Sequence, residues 1–127
     1  MVPMRLGARK RRPGIRRTLT TALLFGVLAL SPVAVARAQN AAEEHVAAGL
    51  AAYWKLNFHE AEGHFRAAVV ADPRSAAALY YLGYTVYKIA EPRRPNDPGK
   101  ARAAELFARA YEIDPGFTPG WGVPGRP

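Results

Sequence analysis

Apolar positions along the chain fall into one uncharged stretch near its start and four mixed segments later on. Residues 19–36 carry no charge, whereas after residue 40 Ala, Leu and aromatic residues are interspersed with Glu, Lys and Arg. The later segments are rich in good helix formers, and short breaks containing Pro, Gly or Asp separate them. We predict four helices, over residues 41–56, 58–71, 76–90 and 98–113. The fold class expected from this pattern is all-α.

Helix start signals precede three of these segments. Ser75 and Asp97 are predicted to cap the third and fourth helices with their side-chain oxygens, with Pro98 at the first position of the fourth. Asn57 is predicted to cap the second helix, with Glu60 three residues later as its capping-box partner.

Proline-containing breaks end the helices. Asp-Pro pairs at residues 72–73 and 114–115 terminate the second and fourth helices, because the residue before a proline disfavours helical backbone. Three prolines between residues 92 and 98 predict a loop. Residues 115–127 hold four Pro and four Gly, so we predict an irregular tail.

The first 38 residues have the three parts of a secretory signal peptide. Seven basic residues and no acid occupy residues 1–17, the uncharged stretch follows, and Ala36-Arg37-Ala38 supplies a small-x-small cleavage site. Pro32 is predicted to break the helix and leave extended backbone for the peptidase. We therefore expect cleavage after Ala38 and a periplasmic or secreted protein. The alternative is an uncleaved segment that anchors the chain in the inner membrane.

This assignment changes the meaning of the net charge of +8. Eight of the 18 Lys and Arg, and none of the ten Asp and Glu, lie in residues 1–38. The remaining chain carries ten of each sign and has no net charge, so we expect no nucleic-acid binding. Membrane contact is expected only through an uncleaved N-terminal segment.

Two parts of the chain repeat one spacing of small and aromatic residues. Gly49 and Gly83 lie 34 residues apart, and each is followed by Ala, Phe, Ala and Pro at successive intervals of four, three and five. The first set is Ala61, Phe65, Ala68 and Pro73, and the second is Ala103, Phe107, Ala110 and Pro115. The Gly-to-Ala interval is 12 in the first unit and 20 in the second, which indicates an eight-residue insertion.

This spacing resembles that of the tetratricopeptide repeat family, whose helix–turn–helix unit has 34 residues. The chain departs from the family pattern at His45, Ala48 and Ala52, where a large aromatic residue, Leu and Tyr are usual. The resemblance implies an α-solenoid fragment of two helical repeats in residues 39–116, followed by a tail of residues 117–127.

In that family the first helix of each unit lines a concave groove that holds ligands. Carried over residue by residue, the groove positions are Val46, Leu50, Tyr53, Trp54, Tyr80, Tyr84, Tyr87 and Lys88. The resemblance thus implies a groove rich in rings, suited to an extended apolar or Pro-containing segment or to a partner's helix. Tyr80, Tyr84 and Tyr87 also follow helical spacing, so burial of this stripe in the core is the alternative.

We therefore expect an exported protein–protein interaction module, an adaptor or assembly factor of a bacterial envelope that binds a protein or peptide partner. The alternative is a structural subunit without a groove ligand. Such a subunit would complete its solenoid on a larger envelope complex or by self-association into a homo-oligomer.

Catalytic and metal chemistry is not indicated. Residues 39–127 contain one serine, Ser75, at a predicted cap, and the chain has no cysteine. His59 and His64 are five residues apart and so diverge by about 140° around a helix, unlike zinc-binding pairs at i and i+4. We expect neither enzymatic activity nor a cofactor or metal.

Two units are fewer than the three that a stacked array usually needs. The fourth helix is therefore predicted to present an apolar face, formed by Ala103, Leu106, Phe107 and Ala110, toward a missing neighbour. We expect Phe117 and Trp121 of the tail to fold back over that face, or a second copy or partner to cover it.

Overall fold

A computed structural model describes Pro3, Gly7 and residues 31–121. The described residues form α1 (Pro32–Trp54), α2 (Phe58–Ala71), α3 (Ala76–Ala90) and α4 (Pro98–Ile113). They contain no strand, so the predicted all-α class is confirmed for this part of the chain. None of these helices combines the length and the apolar character that a bilayer crossing requires.

Two of the three predicted side-chain caps are present. Ser75 Oγ accepts a hydrogen bond from the backbone N–H of Ala78 at 3.2 Å. Asp97 Oδ1 accepts one from the backbone N–H of Gly99 at 2.8 Å, and Pro98 opens α4. The capping prediction for Asn57 is wrong, because its amide donates to the Glu60 carboxylate and makes no cap hydrogen bond.

Helix α1 begins at Pro32, well before the predicted start at residue 41. Ser31 Oγ accepts from the backbone N–H of Ala34 at 3.3 Å, and Pro32 sits where a missing N–H costs nothing. The predicted extended backbone at residues 36–38 is therefore wrong, since these residues are helical. Ala42, 2% exposed, is the first buried residue of α1, so the described turns before it contribute no fully buried side chain.

The other part of the predicted signal segment, residues 1–30, lies outside the described residues except for Pro3 and Gly7.

Helix α1 ends two residues before its predicted limit because Leu56 adopts left-handed backbone, with φ of 61°. The N–H of Asn57 bonds to the carbonyl of Ala52 at 3.0 Å, and the N–H of Leu56 bonds to the carbonyl of Tyr53 at 2.9 Å. This pair of bonds is the Schellman motif, which normally has glycine in the left-handed position. The resulting reversal of the chain starts α2 at Phe58.

The four helices share one core. Each helix packs on the next, and α1 also contacts α3. Phe65, Leu79 and Thr85 are the largest fully buried side chains, and the Thr85 hydroxyl donates to the Tyr81 carbonyl at 2.8 Å. Buried alanines lie throughout the helix contacts, at positions 42, 52, 61, 68, 78, 90, 103 and 110. Their small side chains let helix axes approach closely.

The two predicted repeat glycines both lie at close helix contacts. A Cβ atom on Gly49 would lie 2.5 Å from Cε1 of Phe65, so the Phe65 ring occupies the space that a side chain there would need. A Cβ on Gly83 would lie 3.1 Å from Cβ of Leu106 and 3.2 Å from the Ala103 carbonyl oxygen. Glycine thus permits the α1–α2 and α3–α4 contacts.

The apolar face of α4 is not left open for a missing neighbour, as the sequence had led us to expect. Ala103, Leu106 and Ala110 are buried, and Leu106 and Phe107 lie against Gly83 of α3. The prediction that the tail covers the apolar face of α4 is wrong. The described part of the tail instead packs against the aromatic rings of α1 and α3, because α3 already occupies the α4 face.

Candidate functional site

The aromatic residues predicted to line a groove form a continuous ring surface on α1 and α3. Tyr53 lies near the end of α1, and its ring centroid is 6.1 Å from that of Tyr84 on α3. Tyr80 stacks on Tyr84 with centroids 6.5 Å apart and an interplanar angle of 15°. Helical spacing on α3 and the contact of α3 with α1 together produce this surface.

The predicted groove residues differ in exposure. Tyr53 is buried, at 8% exposure, whereas Trp54 and Tyr87 are each 39% exposed. Tyr80 and Tyr84 are half-buried. The stripe is therefore partly packed and partly open, with Tyr53 taken into the core and Tyr87 left on the surface.

Val46 and Leu50 lie apart from the rings. They line a hollow of about 450 Å³ between α1 and the start of α3, which also includes Glu43, Asp72 and Ser75. The residues predicted as one groove thus contribute to two separate hollows.

Lys88, the one predicted cation of the groove, is paired. Its Nζ lies 2.7 Å from the Glu91 carboxylate, and this hydrogen bond is the main cause of a raised Lys88 pKa. Glu91 therefore compensates the charge of Lys88 beside the rings. Recognition by the ring surface then depends on apolar contact.

The tail occupies part of the ring surface. The Trp121 ring centroid lies 4.8 Å from that of Tyr84, 4.9 Å from that of Tyr81 and 5.1 Å from that of Tyr53. Phe117 adds a contact with Tyr80 at 5.4 Å. Residues 117–121, which we call the docked segment, therefore cover the inner part of the predicted groove.

One hydrogen bond joins the backbone of the docked segment to α3. The hydroxyl of Tyr81 donates to the carbonyl of Gly120 at 2.9 Å. Burial raises the pKa of Tyr81 above its ordinary value, and it also raises the pKa values of Tyr53 and Tyr80. These three phenols therefore stay protonated, and able to donate, to higher pH than free tyrosine.

The outer part of the surface remains open. Five aromatic residues alone line a hollow of about 470 Å³, which we call the ring hollow: Tyr80, Tyr84, Tyr87, Phe107 and Tyr111. Tyr87 and Tyr111, 39% and 41% exposed, form its rim. A hollow lined only by rings offers flat apolar faces and phenolic hydroxyls to a ligand.

Three residues of this site were not among the predicted groove positions. Tyr81 packs its ring on Phe65 with centroids 5.6 Å apart, and its hydroxyl reaches the tail. Phe107 and Tyr111 belong to α4 and reach Tyr80 at 5.1 Å and 6.2 Å between centroids. Tyr111 lies four residues after Phe107. This i, i+4 spacing of two rings on one helix is the sequence signal that could have placed both in the site.

The histidines and acidic residues of the described part of the chain do not gather into a metal-binding cluster. Within residues 31–121 no group of three His, Cys, Asp or Glu side chains is placed to hold a metal ion. His64 lies beside His45, with ring centroids 6.3 Å apart, whereas His59 lines a different hollow with Glu62 and Arg102. Ser75 serves as a helix cap.

Comparison of the chain with models of protein families, with curated proteins and with solved structures gave no match.

Proposed function

We propose that this chain is a protein–protein interaction module that binds an extended apolar or Pro-containing segment of a partner on its aromatic surface. The observation that carries the proposal is the ring hollow, which five aromatic side chains line and the docked segment leaves open. Aromatic-lined grooves suit proline-rich segments because such segments are already extended and lose little entropy on binding.

The chemistry of the ring hollow favours an uncharged, apolar peptide segment over a charged ligand. No Lys, Arg, Asp or Glu lines it, and tyrosine rings combine large contact area with few rotatable bonds. Tyrosine and tryptophan are also the residues that most often dominate binding energy at protein interfaces. A partner segment would therefore be held by ring contacts and by hydrogen bonds to phenolic hydroxyls.

The surface of α4 favours this proposal over a subunit that extends the array by stacking. A stacking surface requires exposed apolar residues, as in other repeat arrays. One exposed stripe of α4 instead carries charged residues, namely Arg102, Glu105, Arg109 and Glu112. The exposed apolar positions beside it hold three alanines and Tyr111, which offer little side-chain area for a further helix. Its buried side is already used by α3.

The proposal includes a two-repeat solenoid of the tetratricopeptide type and export to the bacterial envelope. The Gly, Ala, Phe and Pro spacing supports the first, together with the Gly49–Phe65 and Gly83–Leu106 contacts. The charge distribution of residues 1–38 supports the second. Sequencing the N-terminus of the protein from an envelope fraction tests export, and Gln39 is the expected first residue.

Binding is tested by selecting short random peptides on the immobilised chain and measuring their affinities by fluorescence anisotropy. We expect the selected peptides to be enriched in proline and aromatic residues. The double variant Tyr87→Ala, Tyr111→Ala should weaken their binding by at least about tenfold, because it removes both exposed rim rings. Val70→Ala, which alters an exposed apolar residue of α2, serves as the matched control and should bind normally.

Selection of no peptide, or peptides that bind the double variant and the unaltered chain equally well, would rule out the ring hollow as the binding site. Circular dichroism of the variants establishes that loss of binding does not reflect loss of fold.

A further inference from the structure

The docked segment reaches the ring surface through a turn that the chain uses twice. Asp72 and Asp114 end α2 and α4 with nearly identical backbone, φ −137° and ψ 95° against φ −137° and ψ 93°. Each Asp Oδ1 accepts from the N–H two residues later at 3.0 Å, and each Asp carbonyl accepts from the N–H three residues later at 3.1 Å.

The same turn has different consequences at its two positions. After Asp72 it leads to Ser75, which caps α3, whereas after Asp114 it leads to Phe117. Pro119 and Gly120 then prevent a helix, since proline disfavours helical backbone in the residue before it and glycine is a weak helix former. The first turn is therefore followed by helix α3, whereas the second turn is followed by a non-helical segment. This segment lies on the surface of α3.

The contacts of the docked segment are those of a bound peptide. Its sequence, Phe-Thr-Pro-Gly-Trp, has no charge. Apart from the Phe117 N–H, which belongs to the turn after Asp114, it contacts the helices through its two rings and through the Gly120 carbonyl bonded to Tyr81. Trp121 remains half-buried and Gly120 is exposed. A segment held by two rings and one backbone hydrogen bond can be replaced by any segment that repeats these features.

We propose that the docked segment occupies the binding site of the partner and mimics the segment by which the partner binds. This inference rests on the proposed function. The part of the partner that enters this place has the form aromatic–x–Pro–Gly–aromatic and lies against Tyr53, Tyr81 and Tyr84. The rest of the partner segment continues into the ring hollow, which shares Tyr84 with this place. The tail competes with the partner for the place of residues 117–121. The tail thus lowers the apparent affinity for the partner by the fraction of molecules in which it is docked.

Competition is tested with a labelled peptide of the sequence Phe-Thr-Pro-Gly-Trp, titrated by fluorescence anisotropy. The full chain and the variant Trp121→Ala are compared. We expect the variant to bind the peptide at least about tenfold more tightly, because a tail docked in about nine molecules of ten reduces affinity by that factor. Trp121→Phe, which keeps a smaller ring, should give an intermediate gain. A peptide with Ala in place of both aromatic residues is the control and should bind neither chain.

Displacement of the tail is measured directly in the variant Trp54→Phe, in which Trp121 is the only tryptophan. The Trp54 ring lies 6.5 Å from that of Trp121, so phenylalanine is chosen to keep an aromatic ring beside the tail, and the peptide affinity of this variant is measured first as its control. A saturating peptide Phe-Thr-Pro-Gly-Phe contains no tryptophan and should shift the Trp121 emission to longer wavelength, as the indole moves into water. A purely structural tail would show no such shift.

The outcomes separate this inference from the proposed function. Equal affinity of the labelled peptide for the full chain and Trp121→Ala would overturn competition while leaving peptide binding intact. Absence of binding to either chain would overturn the inferred ligand form, and the proposed function would then stand or fall with the random-peptide selection. Because the inferred ligand lies against Tyr84 in place of Trp121, adding Tyr84→Ala to Trp121→Ala should abolish the gain in affinity.

Discussion

The Trp121 ring lies 4.8 Å from the ring of Tyr84, centroid to centroid, at an interplanar angle of 62°. The two residues are far apart in sequence, and their edge-to-face contact joins the tail to α3. Since Trp121 also contacts Tyr53 of α1, the tail connects the two helices that carry the predicted groove.

Replacing Trp121 should lower stability as well as open the surface. We expect Trp121→Ala to reduce the free energy of unfolding by about 1–2 kcal/mol, the value for a large apolar side chain that is only partly buried. Urea denaturation of the two chains measures the difference. Val70→Ala, at an exposed site that is 78% accessible, should change stability by less than about 0.5 kcal/mol. Equal midpoints for Trp121→Ala and the unaltered chain would contradict tail docking.

Alanine should have opposite effects at two helical glycines. At Gly49 the new Cβ would lie 2.5 Å from the Phe65 ring, so we expect Gly49→Ala to cost about 1–3 kcal/mol through overpacking. At Gly63 of α2 a Cβ meets nothing within 4 Å, and Gly63→Ala should stabilise by about 0.5–1 kcal/mol through helix propensity. Thermal unfolding followed by circular dichroism checks both. A stabilising Gly49→Ala would show that the α1–α2 contact is looser than described.

Leu56 occupies a backbone conformation that favours glycine. Its side chain is 73% exposed, so little apolar contact is lost on removing it. Left-handed backbone costs a non-glycine residue about 1–2 kcal/mol, which exceeds the added chain entropy of glycine, about 0.5–1 kcal/mol. We therefore expect Leu56→Gly to raise the free energy of unfolding by about 0.5–1 kcal/mol. Leu56→Ala keeps the unfavourable backbone and should show no such gain in the same denaturation experiment.

Alkaline pH should destabilise the protein through phenols whose pKa burial raises. Burial raises the pKa values of Tyr53, Tyr80 and Tyr81 above 10.0, because it disfavours the phenolate. Above pH 10.0 the unfolded chain releases these protons before the folded chain does. Stability from this source is therefore fully present below pH 10.0 and is lost as pH rises through the folded-state pKa values.

The alkaline effect is checked by the melting temperature as a function of pH and by the ultraviolet absorbance of tyrosinate. Tyr81→Phe should weaken the decline, since it removes one of the titrating groups. A melting temperature that stays constant above pH 10.0 would contradict the described burial of these rings.

Local signals in the sequence were sufficient for most helix boundaries. Ser75 and Asp97 are both followed by helix-forming residues and proved to be caps, because capping depends only on a short side chain and the next three residues. Asn57 has an equally suitable side chain. It failed as a cap because its amide donates to the Glu60 carboxylate and its own backbone N–H closes the motif that ends α1.

The ring surface was predictable only in part. Helical spacing placed Tyr80, Tyr84 and Tyr87 on one stripe without reference to the rest of the fold. Whether each ring is buried or open depends on α1, α4 and the tail, none of which helical spacing along α3 can specify. Tyr81, one residue from the stripe, became a tail contact because its ring lies on Phe65 and its hydroxyl points out to Gly120.

The sequence by itself determined the all-α class, the ends of α2, α3 and α4, and the distribution of charge. These properties follow from residue type and from interactions within a few positions along the chain. The tertiary structure decided that α3 covers the apolar face of α4 and that Trp121 lies against Tyr53 and Tyr84. Those contacts join residues distant in sequence, so no local pattern specifies them. The α3–α4 contact further depends on how closely Gly83 lets the two helices approach.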